Sequence, residues 1–568
     1  MGDAAMATLF GQADGKQPPT AWDDVDDAIR PDLRQLMGPE AEEAQEEAQP
    51  AKLFDLPETE GVNESERILT ALCRQTFLRL WSQTNVYTDD GFKNGKGATK
   101  ELCDALVVFG KDVILFSDKH VLFNEAKGLK VAWPRWYKKA VFESCRQLHG
   151  AKLWLERFPQ RAFLDAKCTR PLPVPVPVEN VTFHLVAVTR GSRDSALAHN
   201  GGVGRGSFAV NNAVKGDTHK ELPFVVGIPQ PEKHFVHVFD EVSIELVLRE
   251  LDTVVDFLDY LKKRQMLLGT SGIMVSATGE EELLAAYLRT TDVDGQEHLF
   301  FDVSDGETPP GAIVFDAGSY DALTEDISYK RKQRVDRVSY RWDRLIDTFI
   351  DYGDPKLLMP YLVQTNAETE HGLRLMAAES RYRRRQLAMS LFNALGRVEP
   401  GMRLGRVVYG GVAGETVFVF VIMPKRSTET YDEYRTYRRG VLHAYVRTAK
   451  LKAPLGTVFV GIALDNPHKD YEGGTEDLMV YSQESWSADD LAELERKRVE
   501  LGLWTGKGEQ WHLRQDEFPG DDQRVTLRKV VDEPVAPDQK SDADKKRKAL
   551  KRQRKAQAAS KRRNRVRK

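Results

Sequence analysis

Residues 100–119 read KELCDALVVFGKDVILFSDK, two short apolar runs on either side of a glycine. Leu102 to Phe109 reads as one strand, Gly110-Lys111-Asp112 as a tight turn, and Val113 to Lys119 as a second strand. Both runs are almost continuously apolar, as in strands covered on both faces. Asp104 interrupts the first run, and Ser117, Asp118 and Lys119 close the second. A carboxylate inside an apolar strand costs free energy unless it is paired or holds a metal. Asp104 therefore marks a candidate site. Strand alternation puts Ser117 and Lys119 on one face of the second strand and Asp118 on the other.

Outward from the hairpin, Asn63 to about Tyr87 reads as a helix. Ile68, Leu69, Leu72, Cys73, Phe77, Leu80 and Trp81 recur at spacings of three and four, and Asn63 with Glu66 fits a capping box. GFKNGKGATK (91–100) is a loop entering the first strand. After the hairpin, Val121-Leu122-Phe123 reads as a further strand. Pro134 suits the first turn of a helix that carries Trp136, Ala140, Val141, Ser144, Leu148, Ala151 and Trp154.

This order resembles the core of the PD-(D/E)xK nuclease-like superfamily, most closely the nuclease-related domain pattern. The likeness covers about residues 60–160 and rests on Asp104 and on the Ser117-Asp118-Lys119 end of the hairpin. It implies a restriction-endonuclease-like αβ core that cuts DNA or RNA phosphodiester bonds. It also implies Mg²⁺ or Mn²⁺ held by Asp104 and an accessory helix Glu, for which Glu66 and Glu64 both stand. Lys119 then takes the place of the motif lysine, and Gln147, in ESCRQLHGA, that of a glutamine pointing at the site. A metal held in this way lowers the pKa of an attacking water and offsets developing charge.

The chain departs from the pattern at Ser117, where the family carries its second carboxylate. Asp118 replaces that acid only if a bulge re-aims it, and Glu125-Ala126-Lys127 spells Glu-x-Lys only in another hairpin register. Three readings stay open: an active variant using Asp104, Lys119, Glu66 and Asp118; a fold that binds nucleic acid without cutting; or an Asp104–Lys119 pair that is purely structural. The whole chain is also similar to a group of bacterial proteins sharing ELCD…FSDK.

The 568 residues are 41% hydrophobic and 30% charged, enough for several cores. No apolar run approaches the roughly 20 residues of a membrane helix, and the N-terminus lacks a basic-then-apolar leader, so no membrane partner is expected. Cys73, Cys103, Cys145 and Cys168 form no CxxC pair. Buried free thiols in a reducing, cytoplasmic setting are the expectation, and a zinc site is not.

The net charge of −4 hides an asymmetry. Lys545 to Lys568 holds 14 Lys or Arg and no acid, which leaves 68 basic against 86 acidic residues elsewhere, or −18. A tail so charged builds no core. Lys545, Lys546, Arg547, Arg552, Arg562 and Arg563 are suited to phosphates, each neutralised phosphate releasing a counterion. Nucleic acid is the expected partner.

The fold class read from the chain is α/β in several parts. An acidic disordered arm (1–60) precedes the nuclease-like domain (61–170), and PLPVPVPV (171–178) borders it as a stiff spacer. A mixed α/β domain (171–275) holds the strands VTFHLVAVT and KHFVHVFD and one long amphipathic helix from Val242 to Lys263. His234 and His237 differ in strand parity, which argues against a shared metal, and the Gly-rich 199–208 lacks the context of a dinucleotide site. A mostly helical region (276–400) follows, with the basic clusters YKRKQR (329–334) and RYRRRQ (381–386) read as exposed helical faces. An α/β domain (401–515) places Asp465 at the carboxyl end of a strand, and a disordered basic tail (516–568) closes the chain.

Overall fold

The computed structural model of the protein describes residues 54, 56, 64–91, 98–292, 297–301, 311–352, 366–409, 416–471, 474–505, 510–514, 517–520 and 526–530. The acidic arm, apart from Phe54 and Leu56, lies outside them, as do residues 531–568 with the six named cations; the tail expected from 516 is corrected at its start, where 517–520 are described and Thr526–Val530 is a strand. The chain forms two compact units. One comprises residues 1–505 with 515–524; the other comprises 506–514 and 525–568. Of the second unit, the described residues form an antiparallel hairpin, Gln510–Arg514 paired with Thr526–Val530.

The hairpin at residues 100–119 forms as its sequence requires. Helix α1 (Glu64–Trp81) leads into strands β1 (Ser82–Thr88), β2 (Lys100–Phe109) and β3 (Asp112–His120), which pair antiparallel in that order. Gly110 takes φ +59 in the turn, a conformation that suits glycine. The expected helix to Tyr87 is corrected: it ends at Trp81, and SQTNVYT becomes edge strand β1. Thr84, Val86 and Thr88 at alternate positions, with Tyr87 between them, suit a pleated partner for β2 better than another helical turn.

Val121 to Phe123 is not a strand. It bonds to the end of the next one, Val121 N to Arg190 O at 3.1 Å and Phe123 N to Gly191 O at 2.8 Å. Helices α2 (Leu129–Tyr137) and α3 (Glu143–Arg157) flank a π-helical turn at Lys138–Phe142. Pro134 lies inside α2 rather than in its first turn. Its missing N–H and its ring act on the preceding turn, at the carbonyl of Lys130.

Strands β4 (Thr182–Arg190) and β7 (Val236–Asp240) then join parallel to β3, giving the order β1-β2-β3-β4-β7. The sheet thus runs past PLPVPVPV, which lies within the crossover that parallel strands require. Between them, helix α4 (Arg193–His199) precedes β5 (Ala209–Lys215) and β6 (Val225–Ile228). The expected helix from Val242 to Lys263 is two helices, α5 (Glu241–Glu250) and α6 (Val254–Gly269). Asp240 caps the first and Thr253 the second, each accepting from backbone N–H groups of the helix it starts.

Phe116 on β3 meets Phe77 of α1 at 6.0 Å and Phe257 of α6 at 6.3 Å, while its neighbour Ser117 meets α3. Successive strand residues face opposite ways. So α1 and α6 cover one face of the first sheet and α3 the other.

A small sheet, ordered β6-β5-β8-β9, takes in β8 (Met274–Ala277) and β9 (Ala312–Phe315) around helix α7 (Glu280–Arg289). Helices α8 (Ser319–Glu325), α9 (Ile327–Asp336), α10 (Tyr340–Tyr352), α11 (Asn366–Ala377) and α12 (Arg381–Arg397) make the mostly helical region. Last comes a sheet ordered β10-β11-β12-β13: Leu404–Val408, Thr416–Met423, Val458–Asp465 and Asp477–Ser482. Helix α13 (Tyr431–Thr448) joins the parallel pair β11 and β12, and α14 (Ala488–Glu500) follows β13.

Strand alternation decides this second sheet's packing. Phe418, Phe420 and Ile422 join the core shared with the helices, where Trp342 lies 5.3 Å from Phe418. Val417, Val419 and Val421 face α13 with Tyr434, Leu442 and Val446. A Cβ on Gly461 would stand 2.2 Å from Val446 Cγ2, so glycine there lets α13 close onto the sheet. Among the described residues no helix is long and apolar enough to cross a membrane.

Candidate functional site

The ladder between β2 and β3 runs from Phe109↔Asp112 to Ala105↔Phe116 and stops there. Asp104, the next residue out, uses a carboxylate oxygen instead of a backbone carbonyl. Its Oδ2 accepts the Asp118 N–H at 2.7 Å. The carboxylate thus completes the hairpin end while staying half-buried. Burial lifts its pKa above the ordinary carboxylate range. Lys119, the Asp118 N–H and the Ser117 hydroxyl pull it back, and the Glu66 charge raises it further.

Ser117 is fully buried on the α3 face. Its Oγ lies 3.3 Å from both Ser144 Oγ and Gln147 Oε1. Gln147 therefore reaches the site, but its carbonyl is turned to the serine that replaces the expected acid. Asp118 points the other way, as alternation requires. Arg190, at the end of β4, donates Nε to both of its oxygens at 2.9 and 3.1 Å. Burial still outweighs that partner, and the Asp118 carboxyl is pushed up to about 6. No bulge re-aims Asp118 at this end of β3. Glu125-Ala126-Lys127 is a 3-10 turn outside the sheet, with Glu125 bonded to Ser195, so that alternative register is not formed.

Of the two helix acids, Glu64 is exposed, whereas Glu66 is half-buried and its charge acts on Asp104. An acid that sequence reading missed joins them. Val86 faces Cys103, but Tyr87 faces Glu101, so Leu102 is an extra residue in β2. Such a bulge changes the strand's phase. The Glu101 carboxyl is lifted by burial and by Asp104 and Glu66, and lowered by Lys119. Glu66, Glu101, Asp104 and Lys119 form one electrostatic group. Nothing in the sequence signals the bulge, because it depends on how β1 pairs.

Does this donor set fit the cation that the resemblance implies? Asp104 is engaged by a backbone N–H, Ser117 is neutral and turned to α3, and Asp118 is held on the far face. Among the described residues no three His, Cys, Asp or Glu side chains converge to hold a metal ion. As arranged, Asp104 and Glu66 do not make that centre.

Asp465, the other acid singled out at a strand end, lies in a dense ion-paired cluster. Tyr434 Oη donates to it at 2.9 Å and Tyr431 Oη at 3.2 Å, and Arg438 Nη1 bonds it closely. Asp477 accepts from Arg435 and Arg439 at 3.2 Å and from Arg438 at 2.8 Å. The RYRRRQ cluster is corrected from an exposed face to a buried one. Arg381 holds Asp252 and Asp343, Arg384 holds Asp343, and Arg385 holds Asp336, with each arginine at most 6% exposed. The acids that draw them in come from distant segments. In YKRKQR, Arg331 and Arg334 are exposed, while Lys332 pairs with Asp336 at 2.6 Å.

Comparison with protein-family models, curated proteins and solved structures finds no match for this chain.

Proposed function

We propose that the first sheet with α1 and α3 is a nuclease-like domain that has kept the hairpin scaffold but not a cleaving centre. In this reading the chain binds DNA or RNA through its basic tail without cutting it. One observation carries the reading: the second-carboxylate position is Ser117, a fully buried neutral side chain turned to Ser144 and Gln147. The order helix, three antiparallel strands, helix, parallel strand supports the family reading of the scaffold. The tail's 14 basic residues supply the affinity, with the steep salt dependence of counterion release.

A second reading is favoured by the bulge in β2. Glu101 then stands in for the missing acid beside Asp104, Glu66 and Lys119, and a nuclease dependent on Mg²⁺ or Mn²⁺ would need these acids to draw together around the ion.

The experiment is binding and cleavage of labelled DNA and RNA by the full chain, by a chain ending at residue 544, and by Asp104→Asn and Glu101→Gln. The expected result is salt-sensitive binding that falls at least ~10-fold without the tail, and no cleavage in Mg²⁺ or Mn²⁺. Binding unchanged by tail removal overturns the tail's role. Metal-dependent cleavage abolished by both substitutions overturns the non-cutting reading in favour of the Glu101 site.

A further inference from the structure

Glu517 and Phe518 are far in sequence from the helices they touch, and both are held side chain by side chain. Phe518 is 3% exposed and meets the Tyr329 ring edge-on, with centroids 5.2 Å apart. Glu517 Oε2 accepts from Arg385 Nη2 at 2.8 Å, and its other oxygen lies 3.7 Å from Lys332 Nζ. Gly520 N closes a turn back onto Glu517 O.

The receiving surface is built for an anion. Lys332 and Arg385 already share Asp336, which leaves one positive charge over when Glu517 is set aside. Both cations are largely enclosed, and Arg385 Nε is buried without a hydrogen-bond partner. An enclosed surplus cation is unfavourable until a carboxylate arrives. Glu517 supplies the carboxylate, and Phe518 supplies the apolar body that fills the space by Tyr329.

We propose that Lys332, Arg385 and Tyr329 form a docking site for an acidic–aromatic dipeptide, occupied by the chain's own Glu517-Phe518. The segment is a docked anchor that opens as a piece, with Phe518 seated against the main apolar core. It lies ahead of the run of basic residues that begins at Lys545. This inference does not depend on what the first sheet does.

Limited trypsin digestion of the full chain tests it, with cutting after Arg514 and Arg524 read by mass spectrometry. Wild type is compared with a Glu517→Gln/Phe518→Ala double variant, and with wild type in excess synthetic peptide spanning residues 515–523, which holds no trypsin site. The expected result is cutting at least ~10-fold faster in the double variant, with residues 64–505 still resistant, because cutting follows the population of the opened segment. The peptide should speed cutting of wild type in the same places. Equal rates in wild type and double variant overturn the anchor. Cutting throughout residues 64–505 in the variant also overturns it, because the segment then does not open separately from the rest of the fold.

Discussion

Two strand ends in this protein carry acids beside a crossover helix, and they are treated in opposite ways. At the end of β12, Asp465 is enclosed by Tyr431, Tyr434, Arg438 and Lys469, and Asp477 by three arginines. At the open end of the β2–β3 hairpin, Glu101 and Asp104 stay in reach of solvent and share one nearby lysine. An acid whose neighbours neutralise it belongs to the architecture. Acids left with lifted pKa values at an exposed edge are where chemistry or binding is looked for. Both sets stand at strand ends, Asp465 at the carboxyl end of β12 and Glu101 and Asp104 toward the amino end of β2, so position alone does not separate them; the number and burial of the cations do.

The sharpest way to break the comparison is at Arg438, which is fully enclosed and bonds both Asp465 and Asp477. Arg438→Met leaves two buried carboxylates short of a partner, and the expected loss is roughly 3–5 kcal/mol. Denaturant unfolding followed by circular dichroism checks it. A loss below ~1 kcal/mol would mean that the cluster is not the architectural element described here.

Arg190 comes next. Asp118 has its carboxyl pushed up to about 6, above the ordinary value, so the folded state holds that proton more readily than the unfolded chain. Its favourable contribution is complete below about pH 4 and is lost as the pH rises through 6. Arg190→Met removes the cation that opposes this shift. The expected loss is about 3 kcal/mol at pH 8 and clearly less at pH 5, where Asp118 takes up a proton. Equal losses at the two pH values would show that the arginine acts through packing alone.

Legibility in the sequence follows the same division. The hairpin could be read because its signals are local: two unbroken apolar runs and a glycine whose turn needs positive φ. The opposed faces of Ser117 and Asp118 could be read from strand alternation. Glu101 could not, since its place depends on the pairing of β1 with β2. The arginines of α12 could not either, because burial of a guanidinium depends on acids elsewhere in the chain. Asp252 stands 129 residues from Arg381, and Glu517 stands 132 from Arg385. The sequence expectation carries helix α1 past Trp81 because SQTNVYT holds no glycine or proline to stop a helix, and its only strand cue is the alternation of Thr84, Val86 and Thr88.

Asp347 on α10 lies between the two extremes. Its Oδ1 is buried without a hydrogen-bond partner, and burial with the Asp351 and Asp343 charges pushes its carboxyl up to about 7. Again the folded state favours the proton, so this group weakens the fold as the pH rises through 7. Asp347→Asn should raise stability by about 2 kcal/mol at pH 8 and change little at pH 4, where the wild-type carboxyl is neutral. Thermal unfolding at the two pH values reads the difference. A variant less stable at pH 8 would mean that Arg79 and Arg384 use the charge.

The smallest expected effect, at Asp104, sharpens the comparison most. An asparagine amide oxygen can still accept the Asp118 N–H, the one hydrogen bond by which Asp104 closes the hairpin. What Asp104→Asn removes is a negative charge, and that charge is disfavoured by burial and by Glu66 while Lys119 only partly offsets it. If the hairpin needs the oxygen and not the charge, stability stays within about 1 kcal/mol of wild type. A larger loss would move Asp104 to the side of Asp465, as an ion pair with Lys119 that the fold requires. Stability retained leaves the charge without a structural role, and the group Glu66, Glu101, Asp104 and Lys119 then stands as the place where a ligand would be sensed.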